Sequence, residues 1–138
     1  MNYEHLYWQL FRKYLSRKPS ANEILSEEII RETEKRFGFK IPESLRVYYQ
    51  ITGNLPELNE FHNRLLNLHQ IFVENDFLIF MEENQNVVHW GIKLGNVSNP
   101  NPEVWQIINE DPAKFYSEEK SFSEFIRTMM DWQFGGFQ

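Results

Sequence analysis

Cysteine is absent from the 138 residues, which excludes disulfides, thiolate nucleophiles and cysteine-ligated zinc. Long apolar runs are absent too, and none approaches the ~20 consecutive residues of a membrane span. The N-terminal segment MNYEHLYWQLFRKYLSRK lacks the uninterrupted apolar core and small-residue cleavage site of a secretory signal, so a cytosolic location is predicted. No glycine-rich phosphate loop and no Gly-x-Ser-x-Gly elbow occurs. Positive charge is in short supply: 14 basic residues face 20 acidic ones, giving a net charge of −6. That balance favours solubility and makes phosphate backbones and anionic membranes poor partners. Neither nucleic acid nor a membrane is therefore expected as a ligand, whereas a basic partner would be attracted.

Aromatic side chains are abundant, with 12 Phe, 6 Tyr and 4 Trp. A chain of this length buries roughly 68–70% of its unfolded surface, enough for a core without staples. Residues 1–138 fit one domain. Within residues 1–20, Tyr3, Leu6, Tyr7, Leu10, Phe11, Tyr14 and Leu15 recur at helical spacing, and Pro19 marks the end. A second helix is predicted to start with Ser26 as N-cap and Glu27 and Glu28 in its first turn, and to stop at Gly38. Ile29, Ile30, Thr33 and Phe37 form its apolar side. The third opens at Pro42, presents Leu45, Tyr48, Tyr49 and Thr52 inward, and closes at Gly53. The connection LPELNEFHNR is poorly patterned and leads into an apolar piece around Leu65–Leu68.

Strands follow. Phe77–Met81 is a continuous apolar run, as a strand covered on both faces requires. Val88, Trp90 and Ile92 share one face of the next strand. After the Gly95–Pro102 loop, Glu103–Ile108 places Trp105 and Ile107 opposite Val104, Gln106 and Ile108. A short extended piece, Lys114–Tyr116, precedes a last helix for which Ser121 and Glu124 form a reciprocal capping pair. Phe122, Phe125, Ile126, Met129 and Met130 keep its period, and Gly135 and Gly136 end it. Helices, then strands, then a helix argue an α+β fold with helices packed on a sheet.

Candidate reaction centres are few. His5, His62, His69 and His89 show no converging metal-ligand spacing, so no metal and no cofactor is predicted. Glu82 and Glu83 are adjacent on a strand and point to opposite faces; a hydrolase would have to use one of them with His89. The serines at Ser20, Ser26, Ser121 and Ser123 read as caps. Trp8 and Trp132 lie off the apolar stripes of their helices, Trp90 reads as core, and Trp105 stays open between packing and contact. Glu57, Glu60, Glu82, Glu83 and Trp105 are the candidate partner-binding residues.

Three collinear pieces resemble the SUKH superfamily, named for the fungal Smi/Knr regulators of cell-wall synthesis. The run from Ser26 to Asn54 resembles its hydrophobic-Pro-acidic helix start and glycine corner. Phe80 to Ile92, with Glu83-Asn-Gln85 and Trp90-Gly91, is similar to its Glu-Asn-Gln … Trp-Gly strand pair. Asn101-Pro-Glu-Val-Trp105 and the Ser-Phe-Ser-Glu-Phe-Ile helix complete the order, and together they cover residues 26–132. The resemblance implies a mixed, mostly antiparallel sheet flanked by helices. It also implies a non-catalytic protein-binding role: an immunity protein that neutralises a bacterial toxin such as a basic nuclease, or a regulatory or scaffold module binding a host protein.

Overall fold

A computed structural model describes residues 2–14, 25–52, 63–83, 85 and 87–134. Leu15, Pro19, Gly53, Glu57, Glu60, His62, Gly135 and Gly136, all used in the sequence reading, lie outside the described residues. Among the described residues, four α-helices and a six-stranded sheet make an α+β fold: α1 (Tyr3–Tyr14), α2 (Glu27–Phe37), α3 (Glu43–Thr52), β1 (Asn63–Leu65), β2 (Phe72–Glu74), β3 (Phe77–Glu83), β4 (Val88–Lys93), β5 (Glu103–Ile108), β6 (Lys114–Ser121) and α4 (Phe122–Phe134). The strand order is β1-β3-β4-β5-β6, with β2 also on β3, and all pairs among the described strands are antiparallel.

The helices form where the apolar period and the caps agree. In α1 the predicted stripe buries Tyr3, Tyr7, Leu10 and Phe11. Ser26 accepts the Ile29 N–H at the start of α2, and Gly38 closes it in the left-handed region at φ 79°. Only glycine adopts that conformation without strain, and its N–H reaches the Glu34 carbonyl at 2.9 Å. Arg36 ties α2 to the β1–β2 connection, donating to the carbonyls of Leu68, His69 and Ile71 at 3.0, 3.1 and 3.3 Å.

Aromatic rings join the helices to the sheet. Tyr48 on α3 is surrounded by Tyr7, Phe11 and Phe122 at ring-centroid distances of 5.3, 6.0 and 5.9 Å. Phe80 meets Phe122 edge-on at 5.1 Å, and Trp90 tilts against Phe125 at 6.3 Å. Trp90 is thus a core residue, 6% exposed. Edge-to-face pairs of this kind add ~0.5–1.5 kcal/mol beyond their area burial. The buried hydroxyls have carbonyl partners: Tyr7 donates to Ser44 at 2.8 Å and Tyr49 to Leu66 at 2.6 Å. Burial pushes the ionisation of both tyrosines upward, so they remain neutral donors.

The Asn99–Pro102 segment joins two helix starts. The Pro100 carbonyl accepts the Ser44 N–H of α3 at 2.8 Å, and the Pro102 carbonyl accepts the Phe122 N–H of α4 at 2.9 Å. Asn101 receives the Ser123 N–H at 3.1 Å and donates to the Ser123 hydroxyl at 2.8 Å. The cap of α4 therefore comes from this loop, and no Ser121–Glu124 pair forms among the described residues.

Three strand features depart from the expected pattern. A hairpin joins β2 and β3 through Asn75 and Asp76, at φ 53° and 65°, the left-handed pair that a tight two-residue turn needs. In β3 the register shifts between Ile79 and Met81, so Phe80 is an extra residue aimed at the helices. The piece expected over Lys114–Tyr116 runs on as β6 to Ser121. Its mainly polar sequence, on an edge strand, carries no apolar alternation.

Candidate binding surface

Cross-strand register fixes which candidates share a face, because directly opposed residues point the same way. One row across the sheet runs Arg64, Glu82, His89, Ile107 and Phe115. The next runs Phe72, Ile79, Gly91, Trp105 and Ser117. Glu82 and Trp105 are therefore on one face. Glu83 opposes Asn63 on the other, where the Asn63 amide meets Met129 of α4 at 3.5 Å.

Glu82 is engaged where it stands. Its carboxylate is ion-paired with Arg64 across the β1–β3 ladder and is 3.9 Å from His89 Nε2. His89 is 5% exposed, with the Phe72 ring edge-on at 5.6 Å. The two adjacent glutamates do not converge on one reacting atom, and His5 and His69 are exposed far along the chain. Among the described residues, no three His, Asp or Glu side chains gather as metal ligands.

Trp105 lies in an aromatic group on this face. Phe77 stacks on Phe115 at 5.3 Å and is 6.2 Å from Trp105, while the Lys93 ammonium stands 4.0 Å above the indole. Such a cation–π contact is worth ~0.5–1 kcal/mol at an exposed site. Trp105 is half-buried and its indole N–H is buried without a hydrogen-bond partner. Phe115 is the more open of the two, at 42% exposure. The sequence reading missed Phe115; its place at the end of a mainly polar strand gave little sign of a patch.

Gly91 shows why the Trp-Gly pair stands here. A Cβ at that position would lie 2.8 Å from the Leu78 carbonyl oxygen and 2.9 Å from Ile79 Cδ1. The β3 backbone and Ile79 occupy the space, so glycine is required by close approach.

A cleft of about 600 Å³ lies elsewhere, between α2, α3 and the segment following β4. Glu82, Glu83 and Trp105, the described residues among the predicted contacts, do not line it. No helix among the described residues is long and apolar enough to cross a membrane.

Comparison with known proteins gives one match. The model of the SMI1 / KNR4 family (SUKH-1) matches residues 24–128. No curated protein and no solved structure matches the chain.

Proposed function

This chain belongs to the SMI1 / KNR4 family (SUKH-1), and from that premise we propose that it is a protein-binding domain acting as an immunity protein. In this reading it stays in the cytosol, binds a toxin domain and blocks it by covering the toxin's working surface. The single observation that carries the proposal is the family match over residues 24–128. The net charge of −6 supports a basic partner such as a nuclease, because opposite charge speeds encounter.

A non-catalytic role is supported by the engagement of Glu82 with Arg64 and by the opposed directions of Glu82 and Glu83. The contact surface we propose combines Trp105, the neighbouring Phe115 and Glu82 on one sheet face; Glu83 points to the opposite face and does not belong to it, and Glu57 and Glu60 are proposed as contacts from the sequence alone. Open aromatics beside charge are what interface centres and rims are made of.

Co-expression with the toxin domain encoded beside its gene tests the proposal. The expected result is restored growth together with a stable complex on gel filtration. Continued killing with no complex would overturn it.

A further inference from the structure

We propose that β6 pairs edge to edge with β6 of a second copy of this chain, antiparallel, about a two-fold axis at Tyr116. Among the described strands β6 ends the sheet and pairs with β5 alone. Its outer edge therefore presents backbone N–H and C=O groups that a further strand can use. At the other end of the sheet β1 and β2 are three residues each, and short edges of that kind resist pairing.

One half of β6 is open and the other is guarded. Regular pairing with β5 extends from Lys114 to Ser117. Beyond it the register shifts between Ser117 and Ser121, and Glu119 takes φ 58°, a break that turns an edge away from partners. The open half carries Phe115 and Tyr116, 42% and 50% exposed, the only exposed aromatics among the described strand residues. They point to opposite faces, so a strand added here flanks both.

The run Lys114-Phe-Tyr-Ser-Glu118 selects the occupant. Opposed residues in an antiparallel pair share a face. Phe115 and Ser117 share the face of Ile107 and Trp105. Lys114, Tyr116 and Glu118 face the helices, Glu118 accepting the Trp90 indole N–H at 3.4 Å. An axis at Tyr116 keeps the faces matched: Tyr116 meets its own copy, Phe115 meets Ser117, and Lys114 meets Glu118, twice by symmetry. Centring on Phe115 would lose both ion pairs, and centring on Ser117 would oppose Lys114 to Lys120. Lys114 already pairs with Glu110 at 3.3 Å, but both side chains are about half exposed, and such a pair exchanges readily. Copies of net charge −6 repel one another at long range, so the alternating signs of this strip are what make it self-complementary. The inference does not rest on the immunity reading, and its test needs no toxin.

Sedimentation equilibrium of the whole chain from ~1 μM to ~1 mM should pass from monomer to dimer, since one added strand pair buries less than the ~1,200 Å² of stable complexes. Amide exchange in Lys114–Ser117 should slow with concentration while β1 and β2 do not change. Lys114→Glu and Glu118→Lys each oppose like charges twice and should weaken the dimer about tenfold or more. The double variant opposes unlike charges again and should regain native association, which separates lost pairing from misfolding. A chain monomeric throughout, a dimer without added protection in β6, single variants that associate as the native chain does, or a double variant no better than the single ones would each overturn the proposal.

Discussion

Asn101 holds Ser123 by two hydrogen bonds, accepting its N–H at 3.1 Å and donating to its hydroxyl at 2.8 Å. Ser123 is 3% exposed, so its N–H has no water to turn to if this partner is removed. Together with the Pro100 and Pro102 carbonyls, this side chain makes one short loop the starting block of both α3 and α4.

Asn101→Ala should therefore cost ~1–2 kcal/mol, the usual loss of a helix N-cap. In a domain of this size that lowers Tm by about 3–8 °C. Asn101→Asp keeps the acceptor, adds a charge favoured by the helix dipole and should lose less than half as much. Thermal denaturation of both variants decides it: equal losses would mean that packing of the loop, and not capping, is what Asn101 provides.

Gly91→Ala should destabilise the sheet by ~1–3 kcal/mol, the ordinary penalty of overpacking. The clash is with the Leu78 carbonyl oxygen at 2.8 Å, which cannot retreat without stretching the β3–β4 ladder. Gly95→Ala is the control, because a Cβ there meets nothing within 4 Å. Urea midpoints should fall for the first and stay unchanged or rise for the second.

The contact between α1 and α4 should give stability an acid dependence. Asp131 accepts from the Tyr14 hydroxyl and, at 3.1 Å, from Lys13. The Tyr14 bond first, and the Lys13 bond second, hold its carboxyl below the ordinary 3.8. A depressed carboxylate contributes stability above its unfolded pKa, and that contribution is lost as pH falls through the folded value. The stability gap between the native chain and Asp131→Asn should be constant near neutrality and shrink below about pH 4. Tyr14→Phe should reduce the same gap. A gap that does not change with pH in urea titrations would refute this account.

Much of the helical layer was legible because burial there follows one period. Tyr7, Phe11, Tyr48, Tyr49, Phe122 and Phe125 are all buried where helical spacing places them. Ser26 and Gly38 cap α2 because their local chemistry needs no distant partner. What escaped the sequence is tertiary. Asn101 caps a helix 22 residues away, and no local pattern announces it. The turn at Asn75–Asp76 lacks the glycine that marks such hairpins, and β1 and β2 are only three residues each. Glu82 and Glu83 could be assigned to opposite faces from strand geometry alone. That Glu82 shares its face with Trp105 depends on the bulge at Phe80, which alternation does not foretell.

Phe115 and Trp105 should separate binding from folding on the proposed contact face. Phe115 is 42% exposed, so Phe115→Ser should change stability by no more than about 0.5–1 kcal/mol. If this face docks the partner, the same change removes an open aromatic and should weaken the complex by about tenfold or more. Trp105→Phe addresses the neighbour. The indole N–H is buried without a partner, an arrangement that costs ~1–3 kcal/mol of desolvation. Phenylalanine has no such donor, so the variant should be as stable as the native chain or more so, despite its smaller ring. Measuring unfolding and partner affinity on both variants distinguishes the roles. A Phe115→Ser chain that binds with native affinity would place the contact elsewhere, and a Trp105→Phe chain that loses several kcal/mol would show that the ring's bulk, beneath the Lys93 ammonium, outweighs the orphaned donor.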